Sequence, residues 1–406
     1  MIAPIMQCRQ LWGGLRACPA PFRRRLAIFA ISGCRIVLSI AILSYVSRDM
    51  LAQQSHPSFA DLQKRAEQAR RSDQTQESVS LYRQAVTVRP SWAEGWWYLG
   101  TGLYELHRYS EARDAFHRLA VLRPKDGSAW AVMGLSEFEL GKYDESLNHL
   151  PRAEELGMGD NREMVLVVRY HVVLLLNRSG QFERARDHMT AFAALGDVSP
   201  PIINAVGLST LRFALLPTEI PPEKRELVTK AGQATWEPYL AGHPEQADHI
   251  FEEIVASYPR EQNVHYAYGV HLLDSDPEQA MKEFQRELEI TPAHVLARVQ
   301  LVYLYLKQGD SEKGTELARE ALKLDPNFFL THNLMGRALL AGGHASAAIE
   351  ELKTAVRLEP TSPESHFSLS EAYRNAGRTA EAAKERAEFE RLKKPVSRTP
   401  GVMHSR

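Results

Sequence analysis

Cysteine is scarce in this sequence of 406 residues. The three cysteines, Cys8, Cys18 and Cys34, all lie in the first 34 residues, and the rest of the chain contains none. Disulfides belong mainly to small secreted domains with little core of their own. Whatever folds after residue 34 therefore relies on no disulfide.

The chain also lacks an excess of charge of either sign. Its formal net charge is −1. Residues 1–52 contain seven arginines and one aspartate, a charge of +6, which leaves −7 for residues 53–406. A protein that binds nucleic acid or anionic lipid usually carries a marked basic surface. The composition therefore predicts no nucleic-acid partner and no polybasic attachment of the body to lipid.

The short motifs that accompany catalysis are missing too. The sequence contains no HExxH, no GxSxG, no Walker A loop and no GxGxxG. Its nearest approach to a glycine-rich loop, Gly100-Thr101-Gly102, falls inside a predicted helix. We therefore predict a protein that is not an enzyme, with no catalytic residue, no cofactor and no metal site.

One long apolar run is present, at residues 26–46, and it follows a basic block at residues 23–25. A signal peptide cleaved near Ala52 is the first interpretation, although the basic region before the run is long. An uncleaved membrane anchor is the second, because 21 residues can span a bilayer. Arg35 in the run is costly for that anchor but tolerated.

A lipoprotein is the third interpretation, since residues 31–34, ISGC, resemble a lipobox. The apolar run continues past Cys34, which argues against it. The first two interpretations agree on topology: five arginines precede the run, so the body lies beyond the membrane. We expect a periplasmic or otherwise extracytoplasmic location, with anchoring through residues 26–46 left open.

The stretch 93–124 predicts two short helices joined by a turn near His107. Apolar residues recur at intervals of three and four, which places them on one helical face. In the first helix they are Trp96, Leu99 and Leu103. Ser110 is a good N-cap for the second helix. Pro124 ends that helix.

This unit repeats with a period of 34 residues. The period relates Pro90 to Pro124, Trp96 to Trp130, Gly100 to Gly134, Tyr109 to Tyr143, and Pro292 to Pro326 and Pro360. A fixed period of this length indicates stacked repeats. The pattern W-x2-L-G-x2-L, followed by alanine, phenylalanine and a closing proline, resembles the tetratricopeptide repeat over residues 59–394. That resemblance implies an all-α right-handed superhelix of about nine helical hairpins. A glycine at position 100 would let the two helices approach closely.

The period divides the chain into segments. They are a leader (1–52), an N-terminal repeat block (59–199), an irregular helical pair (200–227), a C-terminal repeat block (228–394) and a disordered tail (395–406). The register slips by five residues near Leu166. Prolines at 200–201, 217 and 221–222 mark the irregular pair, which is a hinge or, as we prefer, a degenerate repeat.

Three of the fifteen histidines, His265, His332 and His366, occupy the fourth repeat position, where Trp96 and Trp130 lie in other repeats. Successive repeats lie about 10 Å apart. That spacing is too long for shared metal ligation at about 2 Å. We therefore predict packing histidines.

In the family, the first helix of each repeat lines a concave groove. Carried over to this sequence, the groove positions combine aromatic side chains with a few polar ones, which suits capture of a peptide. They are Trp97, Thr101, Tyr104, Phe138, Tyr266, Tyr303, Lys307, Asn333, Arg337, Phe367 and Arg374. The same aromatic residues could simply pack between repeats.

The resemblance implies a non-enzymatic scaffold that binds a protein or peptide in its groove, and the leader predicts that this scaffold is exported or membrane-tethered. The alternative is a structural accessory subunit of a secretion, pilus or polysaccharide-export assembly, which would use its convex face or its ends. The sequence names no partner in either case.

Overall fold

The computed structural model describes residues 57–193, 195–241 and 246–393. Within these ranges the regular elements are nineteen α-helices and two short 3-10 helices, with no strand. The predicted all-α repeat superhelix is confirmed. The leader, its apolar run at 26–46 and the tail at 395–406 lie outside the described residues.

The chain forms two compact units. The first reaches Ser209 and includes Phe213–Pro222; the second comprises Thr210–Arg212 and the chain from Glu223 onwards. The first contains α1 (Phe59–Arg71), α2 (Thr75–Val88), α3 (Ala93–Glu105), α4 (Tyr109–Leu122), α5 (Gly127–Glu139), α6 (Tyr143–Leu156), α7 (Arg162–Arg178), α8 (Phe182–Ala193) and α9 (Pro200–Thr210).

The second unit contains α10 (Arg225–Ala241), α11 (Gln246–Ser257), α12 (Val264–Leu272), α13 (Pro277–Ile290), α14 (Val295–Lys307), α15 (Ser311–Leu324), α16 (Phe329–Ala341), α17 (Ala345–Leu358), α18 (Pro363–Asn375) and α19 (Thr379–Lys393). Consecutive helices pair as hairpins, nine in the described residues, and α9 has no second helix of its own. We call the first helix of a hairpin helix A and the second helix B.

A glycine on helix A meets a large side chain on helix B in several hairpins. A Cβ on Gly100 would lie 2.7 Å from Cδ1 of Phe116, and one on Gly134 would lie 2.6 Å from Cδ2 of Leu150. Phe116 and Leu150 are fully buried. The close approach expected at Gly100 is therefore present, and it sets the distance between the two helices.

The turn inside each of these hairpins passes through a residue with positive φ. His107 has φ 57° in the second hairpin, and Gly141 takes the equivalent place with φ 71°. Helix α4 then begins at Tyr109 after Arg108, whose side chain makes no capping hydrogen bond. The prediction of Ser110 as N-cap is wrong, because the left-handed turn at His107 brings the chain into the second helix before Ser110 is reached.

The register slip lies inside a helix. Helix α7 has 17 residues, whereas α3 and α5 have 13 each. It begins at Arg162, ahead of the start predicted near Leu166, and the following helix B begins at Phe182. A long apolar segment that is buried on several sides favours continuing the helix over lengthening a loop.

Residues 200–227 differ from the predicted helical pair. They contain one α-helix, α9, followed by 3-10 turns at Pro217–Glu219 and Pro222–Lys224. Helix α9 ends at Thr210 rather than Leu216, because Arg212 adopts φ 54°. The second predicted helix is the start of α10, which pairs with α11.

Helix α9 is fastened to the first unit by a buried amide. The Asn177 side chain of α7 donates to the carbonyl of Ala205 at 2.9 Å, and the Ser209 hydroxyl donates to Asn177 Oδ1 at 2.5 Å. Asn177 is fully buried. A buried amide with both ends hydrogen-bonded fixes the position of α9 against α7.

Candidate partner-binding surface

The predicted groove residues all lie on helices A. Some consecutive helices A also contact one another: α5 contacts α7 in the first unit, and α16 contacts both α14 and α18 in the second. We call the side of each unit that the helices A form the helix-A face. Burial decides which of these side chains a partner could reach.

Four of the predicted residues are buried and belong to the packing between helices. They are Thr101, Tyr104, Tyr266 and Asn333. The Thr101 hydroxyl donates to the carbonyl of Tyr98 at 3.1 Å, and the Asn333 amide donates to Ser365 Oγ at 3.4 Å in the next hairpin. Their prediction as groove contacts is corrected, because neighbouring hairpins cover them.

Two aromatic residues of the first unit are half-buried. The ring of Trp97 packs edge-on against Phe116, with centroids 6.2 Å apart. Phe138 lies between Tyr143 at 5.5 Å and His171 at 4.7 Å. Both rings therefore serve the packing of their hairpins while leaving an edge at the helix-A face.

Carboxylates occupy the last residue of α3 and of α5. Burial raises the pKa of Glu105 and of Glu139. Hydrogen bonds oppose that shift: the Tyr104 hydroxyl donates to Glu139 at 3.4 Å, and the Thr75 hydroxyl donates to Glu105 at 3.5 Å. The two carboxylates at this end of the face are therefore protonated more readily than they would be in open solvent.

Tyr266 is an aromatic residue at a predicted groove position whose ring packs between helices. Its ring lies 4.7 Å from that of His294 and 5.9 Å from that of Phe284. Its backbone N–H donates to the buried carboxylate of Glu287 at 3.2 Å. Tyr266 thus completes the contact between two hairpins.

The remaining predicted residues stay accessible, all in the second unit. Lys307, Arg337, Phe367 and Arg374 are exposed, and Tyr303 is half-buried. The Lys307 ammonium lies 5.6 Å above the Tyr303 ring. The structure brings these five onto three consecutive helices A.

Phe367 is 39% exposed although it is a large apolar residue. Its ring contacts Phe389 of α19 at 5.3 Å, and the Arg386 guanidinium lies 5.2 Å above it. Arg374 forms an ion pair with Glu371 of its own helix. This part of the face therefore combines exposed cations with an open aromatic ring.

The three histidines are packing residues, as predicted, and they also have partners that the sequence reasoning missed. The Nδ1 of His332 lies 2.7 Å from a carboxylate oxygen of Glu351, which follows it by 19 residues. His366 has the same relationship with Glu385, at 2.6 Å. A glutamate recurring at this interval was the available signal. Within the described ranges, no three His, Cys, Asp or Glu residues are grouped to hold a metal ion.

Comparison with known sequences identifies the repeat. Sequence models described as "Tetratricopeptide repeat" match residues 64–126, 99–161 and 333–388, and a second such model matches residues 296–328. The matched residues form tetratricopeptide repeats. A comparison with curated proteins finds no match.

Solved structures with a similar arrangement include other repeat proteins. A crystal structure of MamA has a TM-score of 0.35 at 15% identity, covering 39% of this chain and 92% of that chain. MamA from Desulfovibrio magneticus RS-1 has a TM-score of 0.37 at 20% identity, covering 40% of this chain and 92% of that chain. TTC0263, a thermophilic tetratricopeptide repeat protein of Thermus thermophilus, has a TM-score of 0.34 at 21% identity, covering 39% of this chain and 87% of that chain.

Proposed function

We propose that the helix-A face of the second unit binds an extended segment of a partner protein. The observation that carries this proposal is the accessibility of Lys307, Arg337, Phe367 and Arg374 on helices α14, α16 and α18. The tetratricopeptide repeats support a protein–protein interaction scaffold. Beyond that scaffold role, we propose that the partner binds in the groove and as an extended segment.

The side chains favour a particular kind of segment. An exposed aromatic ring gains by burying apolar area against a partner, and guanidinium groups bind carboxylates in a forked geometry. A segment with an apolar anchor flanked by acidic residues matches Phe367 between Arg337 and Arg374. Binding then depends on shape and charge complementarity without a cofactor.

Panning a random peptide library against the purified chain tests this proposal. We expect selected peptides to lose at least tenfold in affinity on Arg337→Glu or Phe367→Ala. Arg319→Glu is the matched control, because Arg319 is also an exposed arginine but lies on a helix B, α15. Equal losses in Arg337→Glu and Arg319→Glu, or no loss with either groove variant, would refute the groove.

A second candidate concerns the first unit. Aliphatic side chains at the ends of successive helices B are exposed: Val88 58%, Val121 64%, Leu122 39% and Leu156 36%. This row favours the accessory-subunit alternative, with docking through the helix ends. Val121→Asp/Leu122→Asp should then release the assembly partner while leaving peptide binding in the second unit unchanged.

We also propose that the body is exported and is tethered where the leader is retained. The basic block at 23–25, the apolar run at 26–46 and the absence of cysteine after residue 34 support this. In the described residues no helix is both long and apolar enough to cross a membrane. A C-terminal tag should be digested by protease added to intact cells or spheroplasts; full protection there, with digestion only after lysis, would refute export.

A further inference from the structure

A recurring geometry links the fourth repeat position to the proline that precedes it by six residues. In the first unit the indole Nε1 donates to that proline carbonyl: Trp96 to Pro90 at 2.8 Å and Trp130 to Pro124 at 3.0 Å. In the second unit a histidine Nε2 takes the place of the indole. The pairs are His265 with Pro259 at 3.2 Å, His332 with Pro326 at 3.0 Å and His366 with Pro360 at 3.0 Å.

Each of these histidines has a carboxylate at its other nitrogen. The glutamate always comes from helix B of the same hairpin. The Nδ1 distances are 2.6 Å to Glu283 for His265, 2.7 Å to Glu351 for His332 and 2.6 Å to Glu385 for His366. We call these three arrangements the histidine bridges.

The protons on the ring decide whether a histidine bridge is complete. A carbonyl oxygen and an ionised carboxylate are both acceptors, whereas a neutral imidazole carries only one N–H. Only the imidazolium ion donates to both neighbours. At His265–Glu283 the side chains are 4% and 2% exposed, so water does not replace the missing donor.

We propose that the His265 bridge makes the hairpin of α12 and α13 sensitive to pH: the doubly protonated ring fastens helix A to helix B, and its deprotonation loosens the hairpin. The Trp96 hairpin of the first unit makes the same backbone contact through an indole, which does not titrate. The Trp130 hairpin is a poorer comparison, because Nδ1 of its His149 lies 2.7 Å from a carboxylate oxygen of Glu137. The α12–α13 hairpin and the Trp96 hairpin should therefore respond differently to alkaline pH.

The charged groups around the bridges support this. Burial of His265 works against its proton, but the hydrogen bonds to Glu283 and Pro259 outweigh it and raise the pKa of His265. The charged and titratable groups near the bridges are Glu283, Glu287, Arg286 and Tyr268 at His265, Glu351 at His332, and Glu385 and Glu388 at His366.

The direction of the pH effect follows from that shift. A histidine whose pKa is higher in the folded state than its ordinary value of about 6.5 contributes full stability below pH 6.5. This contribution is lost as the pH rises through the folded pKa. Within that window the His265 bridge makes the opening constant of its hairpin rise by up to about tenfold per pH unit.

The chain supplies its own non-titrating control. In the Trp96 hairpin the seventh residue of helix B is Ala115, which occupies the place that Glu283 has in α13. The double variant His265→Trp/Glu283→Ala therefore copies an arrangement that this protein already folds with. Glu283→Gln, which keeps the shape and removes the charge, is the milder second variant.

Hydrogen exchange of the full chain at pH 6, 7, 8 and 9 tests the proposal, with rates expressed as protection factors to remove the intrinsic effect of pH. Protection of α12 and α13 should fall as the pH rises, while protection of α3 and α4 stays level. In His265→Trp/Glu283→Ala the fall at α12 and α13 should disappear, and in Glu283→Gln it should shrink. Parallel declines in α12–α13 and in α3–α4, or an unchanged decline in both variants, would overturn the proposal.

Nitrogen-15 NMR of the histidine rings gives a second readout on the unmodified protein. At pH 7, His265 should show two protonated ring nitrogens, with the solvent-exposed His249 as the internal reference ring. A neutral His265 ring at pH 7 would equally overturn the proposal.

Discussion

Gly100 of α3 lies directly beneath the ring of Phe116 in α4. A Cβ at this glycine would lie 2.7 Å from Cδ1 and 2.8 Å from Cζ of the ring, closer than real Cβ contacts come. Phe116 is fully buried, so its ring has no room to withdraw. The pair sets the separation of the two helices in this hairpin.

Gly100→Ala should therefore destabilise the first unit, although alanine is the better helix former. The gain in helix propensity is about 1 kcal/mol. Overpacking a filled core costs about 1–3 kcal/mol. We expect a net loss of about 1–2 kcal/mol in urea unfolding followed by tryptophan fluorescence.

Gly314→Ala is the matched control, since a Cβ there would meet Leu306 at an ordinary 3.4 Å. It should be neutral or stabilising by up to about 1 kcal/mol. If both substitutions change stability in the same direction, the close approach is not what requires glycine.

The positions of the helices followed from a few periodic residues. Trp96 and Trp130, with Gly100 and Gly134, fixed the frame, because each hairpin must bury the same face against its neighbours. The five-residue slip of the repeat register was predicted, but its location inside helix α7 was not. Sequence spacing counts residues and does not say whether an extra turn lengthens a helix or a loop.

The candidate surface was less predictable than the fold. Lys307 and Asn333 both occupy groove positions, yet the lysine is exposed and the asparagine is 2% exposed. The frame assigns a residue to a face, but the side chains of the next hairpin decide whether that face is covered. Ser365, which meets Asn333, comes from that next hairpin.

Trp130 should contribute through both its ring and its N–H. The ring lies 5.4 Å from His149, and the Arg152 guanidinium lies 4.4 Å above it. Trp130→Phe keeps the ring contacts and removes the bond to Pro124, which should cost about 1 kcal/mol. Trp130→Ala should cost about 3 kcal/mol.

Urea unfolding followed by circular dichroism measures both values. Val121→Ala, at a side chain 64% exposed, is the control and should stay within about 0.5 kcal/mol of the wild type. Equal stability of Trp130→Ala and the wild type would mean that the fourth repeat position is not part of the core.

Asn177 should hold α9 in place. Asn177→Ala leaves the carbonyl of Ala205 and the hydroxyl of Ser209 without their buried partner, which should cost about 1–3 kcal/mol. Hydrogen exchange of residues 200–210 should rise more than that of α3 and α4. Thr190→Ala, on the exposed side of α8, should leave exchange in α9 unchanged; an unaltered α9 in Asn177→Ala would show that other contacts hold it.

His294 should make the second unit less stable in acid, whereas the His265 bridge should make it less stable at alkaline pH. Its Nδ1 accepts the N–H of Ala297 at 3.0 Å and so caps α14, while its Nε2 lies 2.9 Å from Oδ1 of Asn263. The bond from Ala297 requires an unprotonated Nδ1, and the neutral ring with its proton on Nε2 makes both bonds. Burial first, and the nearby Arg212 and Arg298 next, lower the pKa of His294 to about 4.

A histidine whose folded pKa is depressed binds its proton more readily in the unfolded chain. Stability is therefore complete above pH 6.5 and is lost as the pH falls from 6.5 to about 4, by at most about 1.4 kcal/mol per pH unit. His294→Asn keeps a capping side chain and does not titrate, so protection of the first turn of α14 should become independent of pH in this range. His249→Asn, at a side chain 80% exposed, should keep the wild-type acid sensitivity. Because the His265 bridge and the His294 cap respond to pH in opposite directions, the wild-type second unit should be most stable near pH 6.5. Removing only the cap should move that optimum to lower pH. An optimum that stays in place would show that the cap does not cause the loss of stability in acid.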